Sequence, residues 1–346
     1  MGRRSRKRSG RRASIDHNSA QAPRMSSERR AHRKARTGKR ALIVLLSAIV
    51  FFLFAAIAAG ALFYSSLHNR ITATEIPQVL LENPAPPPTE PFNLLILGQD
   101  SREHGETGYF DTIILAHIDP IEQRVWMVSL LRHTRVEFPN YTIGRLNESY
   151  VHGGLNTLIQ VVEELTDQKV DYFVAIDFWG FEDIIDAMGG IYVDVPIAIN
   201  DPRADFTPDK RASQLDPGLQ RLDGAHALTL VRHRTGYDNY GGEFGRMNTQ
   251  QLFLKALLEQ LGDIPLAHLP QVANSLADNV STNFTPLELA QLGREMRRLN
   301  SDDLYAATLP GEWAFPFVWI DEEGAEEIWQ NFGVRPFTFR SSESEE

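Results

Sequence analysis

No cysteine occurs in the 346 residues, which excludes disulfides, zinc-thiolate sites, iron-sulfur clusters and thiol nucleophiles. The chain also lacks a Gly-x-x-x-x-Gly-Lys loop, a Gly-x-Ser-x-Gly elbow and a His-Glu-x-x-His pair. The residue patterns of P-loop, serine-hydrolase and zincin chemistry are therefore missing. There are no internal repeats, and with 42% hydrophobic and 23% charged residues the chain lacks the bias of a disordered polymer. Basic charge is scarce over most of the length. Residues 1–40 hold 15 Lys/Arg against two acids, Asp16 and Glu28, whereas the remainder carries 20 basic and 43 acidic residues. The formal net charge of -10 averages a basic tail and a strongly acidic body.

What separates the two is one long uncharged run, Ala41 to Tyr64. As a helix these 24 residues measure about 36 Å, enough to cross a hydrocarbon core of about 30 Å with some tilt. A cleaved secretory signal is the competing interpretation, with Ala59-Gly60-Ala61 as its small-residue site, but signal h-regions run to about 7–15 residues. The spacing predicts a single transmembrane helix over 41–64. The positive-inside rule then leaves residues 1–40 in the cytoplasm and exports everything from residue 65 onward. The basic tail reads as a topology determinant that touches anionic lipid, so no nucleic-acid partner is expected.

Residues 65–91 contain Asn83-Pro84-Ala85-Pro86-Pro87-Pro88, the composition of a stiff extracytoplasmic spacer. Phe92 to Gly98 is a near-continuous apolar run of strand length, as expected for a strand buried on both faces. Thr112 to Ile118 and Arg124 to Leu130 follow as strands around an Asp119-Pro120 turn. Beyond them, a helix over Leu155 to Leu165, a strand over Tyr172 to Ile176, a helix over Phe178 to Met188 and a strand over Ile191 to Val195 are expected. Asn200 to Gln214 reads as a polar loop, and Asp223 as the N-cap of a short helix that delivers Arg232-His233-Arg234. A longer helix carries Arg246 and Gln250, four apart and so on one face. The loosening at Glu259 to Gln271 suggests a boundary between a domain over 92–262 and a C-terminal extension over 263–340 packed on it. Residues 341–346 are expected to form an acidic, disordered end. The economical fold class is α/β, a mixed central β-sheet packed by helices.

If the first three strands are antiparallel neighbours, the end of the first, the start of the second and the end of the third share one edge of the sheet. Asp100, Arg102, Asp111 and Arg132 then converge there. With Arg232, Arg234 and Arg246 they place five arginines at element ends in an otherwise acidic body. Guanidinium forks suit phosphate oxygens. Two carboxylates beside a bound anion repel it unless a cation lies between, which points to a divalent ion on Asp100 and Asp111 and a pyrophosphate held by arginine. A surface salt-bridge network is the alternative.

Several ordered segments resemble the LytR-CpsA-Psr family over about residues 92–258. They are Asn93 to Arg102, Asp111-Thr112, Arg132 with Thr134, Asp177-Phe178 through Val193-Asp194-Val195-Pro196, Leu222-Asp223-Gly224 with Ala227-Leu228, Arg232-His233-Arg234, and Gly245-Arg246 with Gln250-Gln251. The resemblance implies a bacterial, single-pass membrane phosphotransferase with an extracytoplasmic catalytic domain. Such an enzyme moves a glycopolymer from a polyprenyl-pyrophosphate carrier to a peptidoglycan hydroxyl and releases polyprenyl phosphate. It further implies that Asp100 and Asp111 organise Mg2+ (or Mn2+), that Arg102, Arg132, Arg232 and Arg234 hold the pyrophosphate, and that Arg246 and Gln250 add contacts. An apolar channel for the lipid tail would have Trp179, Phe181, Ile184, Ile185 and Phe253 as candidate lining, with plain core the favoured alternative for each.

The sequence departs from the family at three places: His133 stands where an acid is usual, Glu243 replaces an aspartate for which Asp238 is a nearby substitute, and Thr249 replaces an arginine. A non-catalytic glycopolymer-binding regulator and a lipid-pyrophosphate hydrolase are alternatives that use the same groups.

Overall fold

The structure is a computed structural model, and it describes residues 59–70, 80, 85–101, 108–140, 142–234, 243–265, 267–297, 299 and 301–334. Most of the expected transmembrane run, together with Arg102 and Asp238, lies outside the described residues. Residues 59–70 are helical, and among the described residues no helix is long and apolar enough to cross a membrane. The chain divides into compact units at 1–62 and 63–346.

The centre of the second unit is a six-stranded mixed sheet built from β1 (Phe92–Gln99), β2 (Phe110–Asp119), β3 (Arg124–Ser129), β6 (Tyr172–Asp177), β11 (Val280–Thr282) and β12 (Leu304–Thr308). The order is β11-β6-β1-β2-β3-β12. The pairs β1/β2 and β2/β3 are antiparallel, while β1/β6 and β3/β12 are parallel. The carboxyl ends of β1, β3, β6 and β12 and the start of β2 therefore lie along one rim. β1 is central for the reason its sequence predicts. Leu95 and Leu97 pack into one core cluster, Phe92 and Leu94 into another, so apolar residues are needed on both of its faces.

Helices cover both faces. On one, α1 (Ser149–Thr166) contributes Leu158, Ile159, Val161 and Val162. The helix is kinked at Gly153-Gly154, where Gly154 has φ 69°, a left-handed conformation suited to glycine. The other face is covered by α4 (Glu243–Gln260), through Leu254 and Leu258, and by α6 (Pro286–Met296), which starts with a capping box between Thr285 and Glu288. A third cluster joins α2 (Phe178–Met188), α3 (Gly224–Arg232), α5 (Leu269–Asn279), Phe253 of α4 and a two-stranded sheet of β7 (Ile191–Val195) with β10 (Gly218–Leu222). Thus β7 is a strand, as expected, but it pairs outside the central sheet. The expected polar loop after it is closed at its base by a short antiparallel pair, β8 (Ile199–Asn200) with β9 (Gln214–Leu215).

The C-terminal segment is woven into the domain, since β11 and β12 form the two edges of the central sheet. A partition at 262/263 does not follow the sheet. After β12 comes a hairpin of β13 (Gly311–Ala314) and β14 (Phe317–Ile320), and then α7 (Glu322–Asn331), whose Ala325 is buried in the first cluster. The hairpin is fixed to the end of β3 by a backbone bond from Val318 N to the His133 carbonyl at 2.8 Å. A smaller hairpin, β4 (Arg135–Glu137) with β5 (Ile143–Arg145), has no counterpart among the elements expected from the sequence. The spacer is also less free than its composition suggests, because residues 65–70 are helical and the Pro86 carbonyl accepts a 2.8 Å bond from the Tyr172 hydroxyl.

Candidate active site

The rim gathers its charged residues around Asp111, at the start of β2. Its Oδ2 pairs with Arg132 Nη1 and lies 3.8 Å from Arg234 Nη2. Its Oδ1 accepts from Asn147 Nδ2 at 3.3 Å, and its carbonyl accepts from Arg246 Nη2 at 3.3 Å. Four elements far apart in sequence thus meet on one residue.

Each arginine is placed by its local fold. Arg132 follows β3, and its carbonyl accepts from the Asn147 amide at 3.1 Å. Asp223 caps α3 by accepting from His226 N, so the helix starts where expected and ends at Arg232. Gly224 allows this packing, because a Cβ there would lie 2.3 Å from the Glu182 carbonyl oxygen of α2. Arg232 donates to the Ala204 carbonyl at 2.6 Å, with its guanidinium 4.5 Å from the Phe178 ring centroid and 5.1 Å from that of Phe206. Arg246 and Gln250 share a face of α4, as their spacing predicts, and both are buried. Gln250 Nε2 donates to Thr112 Oγ1 at 3.0 Å and to the Val231 carbonyl at 3.2 Å, tying α4, β2 and α3 together.

Two cavities open on this centre. The smaller, about 320 Å³, is lined by Asp100, Asp111, Arg203, Arg232, Arg234 and Arg246, among others. The larger, about 870 Å³, runs past Arg132 and His133 to the β13/β14 hairpin. Asp111, Thr112, Arg246 and Gln250 line both. Asp100, Asp111, Arg132, Arg232, Arg234, Arg246 and Gln250 therefore come together. Glu243 opens α4. His133 turns to the hairpin, its ring 5.2 Å from that of Trp313. Thr249 is buried and donates to the Gly245 carbonyl at 2.9 Å. The proposed channel lining falls elsewhere: Ile185 and Phe253 are buried in the third cluster, Phe181 and Ile184 pack against it, and Trp179 packs on Phe206. None of the five lines either cavity.

Two participants left no clear mark in the sequence. Asn147, in the 3-10 turn before α1, touches Asp111 and Arg132. The second is the Asp201-His233 pair, with Nδ1 to Oδ2 at 3.0 Å. Asp201 also accepts from the amides of Arg203 and Ala204, which folds the 200–214 loop into a wall of the smaller cavity. Its Asp-Pro dipeptide is a turn signal, but the partner 32 residues away leaves none. Burial opposes the charge on Asp201, yet the bonds from His233 and the two amides outweigh it and hold the carboxyl below its usual range. A depressed folded-state value gives stability that is complete above the ordinary aspartate range, near pH ~3.9, and lost as pH falls through the lower folded value. Denaturant midpoints should therefore drop as the pH is lowered below about 4, and Asp201→Asn should remove that part of the pH dependence.

Among the described residues no three His, Asp or Glu side chains form a metal cage. Asp100 and Asp111 line the smaller cavity together, and carboxylates are the ligand type of a hard divalent ion that takes its remaining oxygens from substrate and water. Beside Asp111, Asn147 Oδ1 is buried with no hydrogen-bond donor among the described residues, a further oxygen of the same kind.

Comparison with known proteins agrees with this architecture. The chain is 32% identical over 200 residues to "Polyisoprenyl-teichoic acid--peptidoglycan teichoic acid transferase TagV" of Bacillus subtilis (strain 168), covering 56% of this chain and 50% of TagV. It thus spans half the length of that relative. It is 25% identical over 271 residues to the corresponding TagU of Enterococcus faecalis (strain ATCC 700802 / V583), covering 75% of this chain and 84% of TagU. The crystal structure of B. subtilis TagV superposes with a TM-score of 0.60 at 26% identity, over 70% of this chain and 95% of that one. The sequence profile of the LytR_cpsA_psr family matches residues 64–331. Fold, rim and profile agree, and the chain belongs to the LytR_cpsA_psr family.

Proposed function

We propose that the chain is a membrane-anchored, extracytoplasmic phosphotransferase of a bacterial envelope, moving a glycopolymer from a polyprenyl-pyrophosphate carrier to a peptidoglycan hydroxyl. The observation that carries this is the meeting of Arg132, Arg234 and Arg246 on Asp111, which lines one cavity with Asp100, Arg232, Arg234 and Arg246. The names of the TagV and TagU relatives support it. Residues 41–64 supply the anchor and residues 1–40 the cytoplasmic tail.

The acceptor oxygen attacks the phosphorus that bears the polymer, and a new P–O bond forms. The bond from that phosphorus to the bridging oxygen breaks, its electron pair departs with polyprenyl phosphate, and the hydroxyl proton is lost to water. Charge grows on the bridging oxygen, and arginines already in place stabilise it without reorganising. Arg232 is held by Ala204 and two aromatic rings. Arg234, about 39% exposed at its side chain, lines the same cavity. Mg2+ or Mn2+, held by Asp100 and Asp111, would supply positive charge to the pyrophosphate when bound.

The test uses the full-length chain in bilayers with carrier-linked glycopolymer and peptidoglycan. EDTA should stop release of polyprenyl phosphate, and Mg2+ should restore it. Equal rates in EDTA would remove the metal from this account.

A further inference from the structure

The two cavities differ in chemistry as well as size. In-line displacement places the attacking and leaving oxygens on opposite sides of phosphorus. The smaller cavity, with Arg203, Arg232 and Arg234, suits the side on which negative charge accumulates. The larger one extends from the residues the two share to the β13/β14 hairpin, and Arg203, Arg232 and Arg234 do not line it. Its floor includes Ile114, Leu131, Met247 and Val318, and its outer wall is formed by Glu312 and Trp313.

Trp313 is 56% exposed yet not loosely held. The hairpin carrying it is bound at Val318 to the backbone of His133 and Thr134. Arg135 sits 4.8 Å from the Trp319 ring centroid, and Arg145 Nε donates to the Pro316 carbonyl at 3.2 Å. A large aromatic surface is thus fixed at the mouth of a cavity whose 870 Å³ falls in the range of ligand sites. Its cost of ordering has already been met by the fold.

We infer that this larger cavity is the acceptor subsite, and that Trp313 stacks on an N-acetylhexosamine ring of the acceptor glycan. The inference rests on the transfer reaction proposed above. A sugar ring presents an apolar C–H face and a polar edge, which matches an indole beside Glu312 and His133. Because Ile113, Leu130 and Met247 also line the cavity, a polyprenyl tail is the competing occupant, but a tail would cover the Glu312 carboxylate without offering it a polar group. The cavity is a poor site for an anionic membrane surface, because the strand carrying Trp319 runs directly into Asp321, Glu322 and Glu323. His133, standing where the family usually has an acid, contacts Trp313 directly, so this departure falls at the acceptor side of the site.

The experiment uses the full-length chain with a soluble peptidoglycan glycan fragment as acceptor. Trp313→Ala should raise the acceptor KM on the order of tenfold and leave kcat and the donor KM unchanged, while Trp313→Phe retains most of the affinity. A fluorescence titration with the same fragment, without donor, should quench the wild type and lose that component in Trp313→Ala. If the wild type shows no transfer, the phosphotransferase proposal fails, and the titration still decides the subsite. An unchanged acceptor KM and titration in Trp313→Ala would overturn the inference. So would a raised donor KM with loss of co-purified polyprenyl lipid, which would make the cavity the tail site. Quenching of Trp313 by brominated lipid in a bilayer, with no response to glycan, would assign the hairpin to the membrane and overturn it as well.

Discussion

Asp111→Asn is expected to lower the rate of transfer on the order of 10³-fold while leaving binding of the lipid pyrophosphate as tight or tighter. The side chain keeps its shape, so its packing against Asn147 and Arg132 survives. What disappears is the negative charge that pairs with Arg132 and lies 3.8 Å from Arg234. In the ground state the relief of repulsion between the carboxylate and the bound anion offsets the loss of the divalent ion held there. During the reaction the substitution removes a proposed ligand of the divalent ion and the group that orients two arginines. The loss therefore falls on kcat, with KM for the donor equal or lower, which is the pattern of an interaction realised in the transition state. Steady-state kinetics with separate titration of donor and acceptor would show it. A variant with unchanged kcat would mean that the reacting phosphorus lies elsewhere.

The second large effect concerns the fold. Phe284, between β11 and α6, is fully buried, with its ring stacked 3.8 Å from that of Tyr172 and edge-on to Phe92 at 6.1 Å. Phe284→Ala should destabilise the domain by about 3–5 kcal/mol, a large share of the roughly 5–15 kcal/mol that holds a domain folded. Because β11 is an edge of the central sheet, urea unfolding should show one transition moved to lower denaturant. A separate early transition, with the β1/β2/β3 core unaffected, would mean that the C-terminal segment is an independent layer.

Much of this architecture was legible because it is written locally. The apolar run of β1, the cap at Asp223, and the short connections linking β1, β2 and β3 are decided within a few residues. Those connections alone bring Asp100, Asp111 and Arg132 to one edge. The four-residue spacing likewise puts Arg246 and Gln250 on one face of α4. What could not be read depends on contacts distant in sequence. The pairing of β12 with β3, the docking of the β13/β14 hairpin on His133 and the Asp201-His233 pair carry no local signature. The channel candidates show the same limit from the other side, since apolar spacing on α2 is as suited to a packed core as to a lipid, and the structure uses Ile185 and Phe253 as core. Asn147 escaped because a lone asparagine before a helix reads as a cap, whereas here it bridges Asp111 and Arg132.

The central claim is transfer of a phosphate-linked polymer centred on Asp111. It is tested most directly by mass spectrometry of peptidoglycan and lipid after incubating the full-length chain, in bilayers with Mg2+, with carrier-linked glycopolymer and peptidoglycan. The account predicts glycopolymer joined to peptidoglycan through a phosphodiester, one polyprenyl phosphate per linkage, several turnovers per protein, and neither product with Asp111→Asn. Carrier bound without turnover, or polymer released to water with no adduct on peptidoglycan, would contradict it.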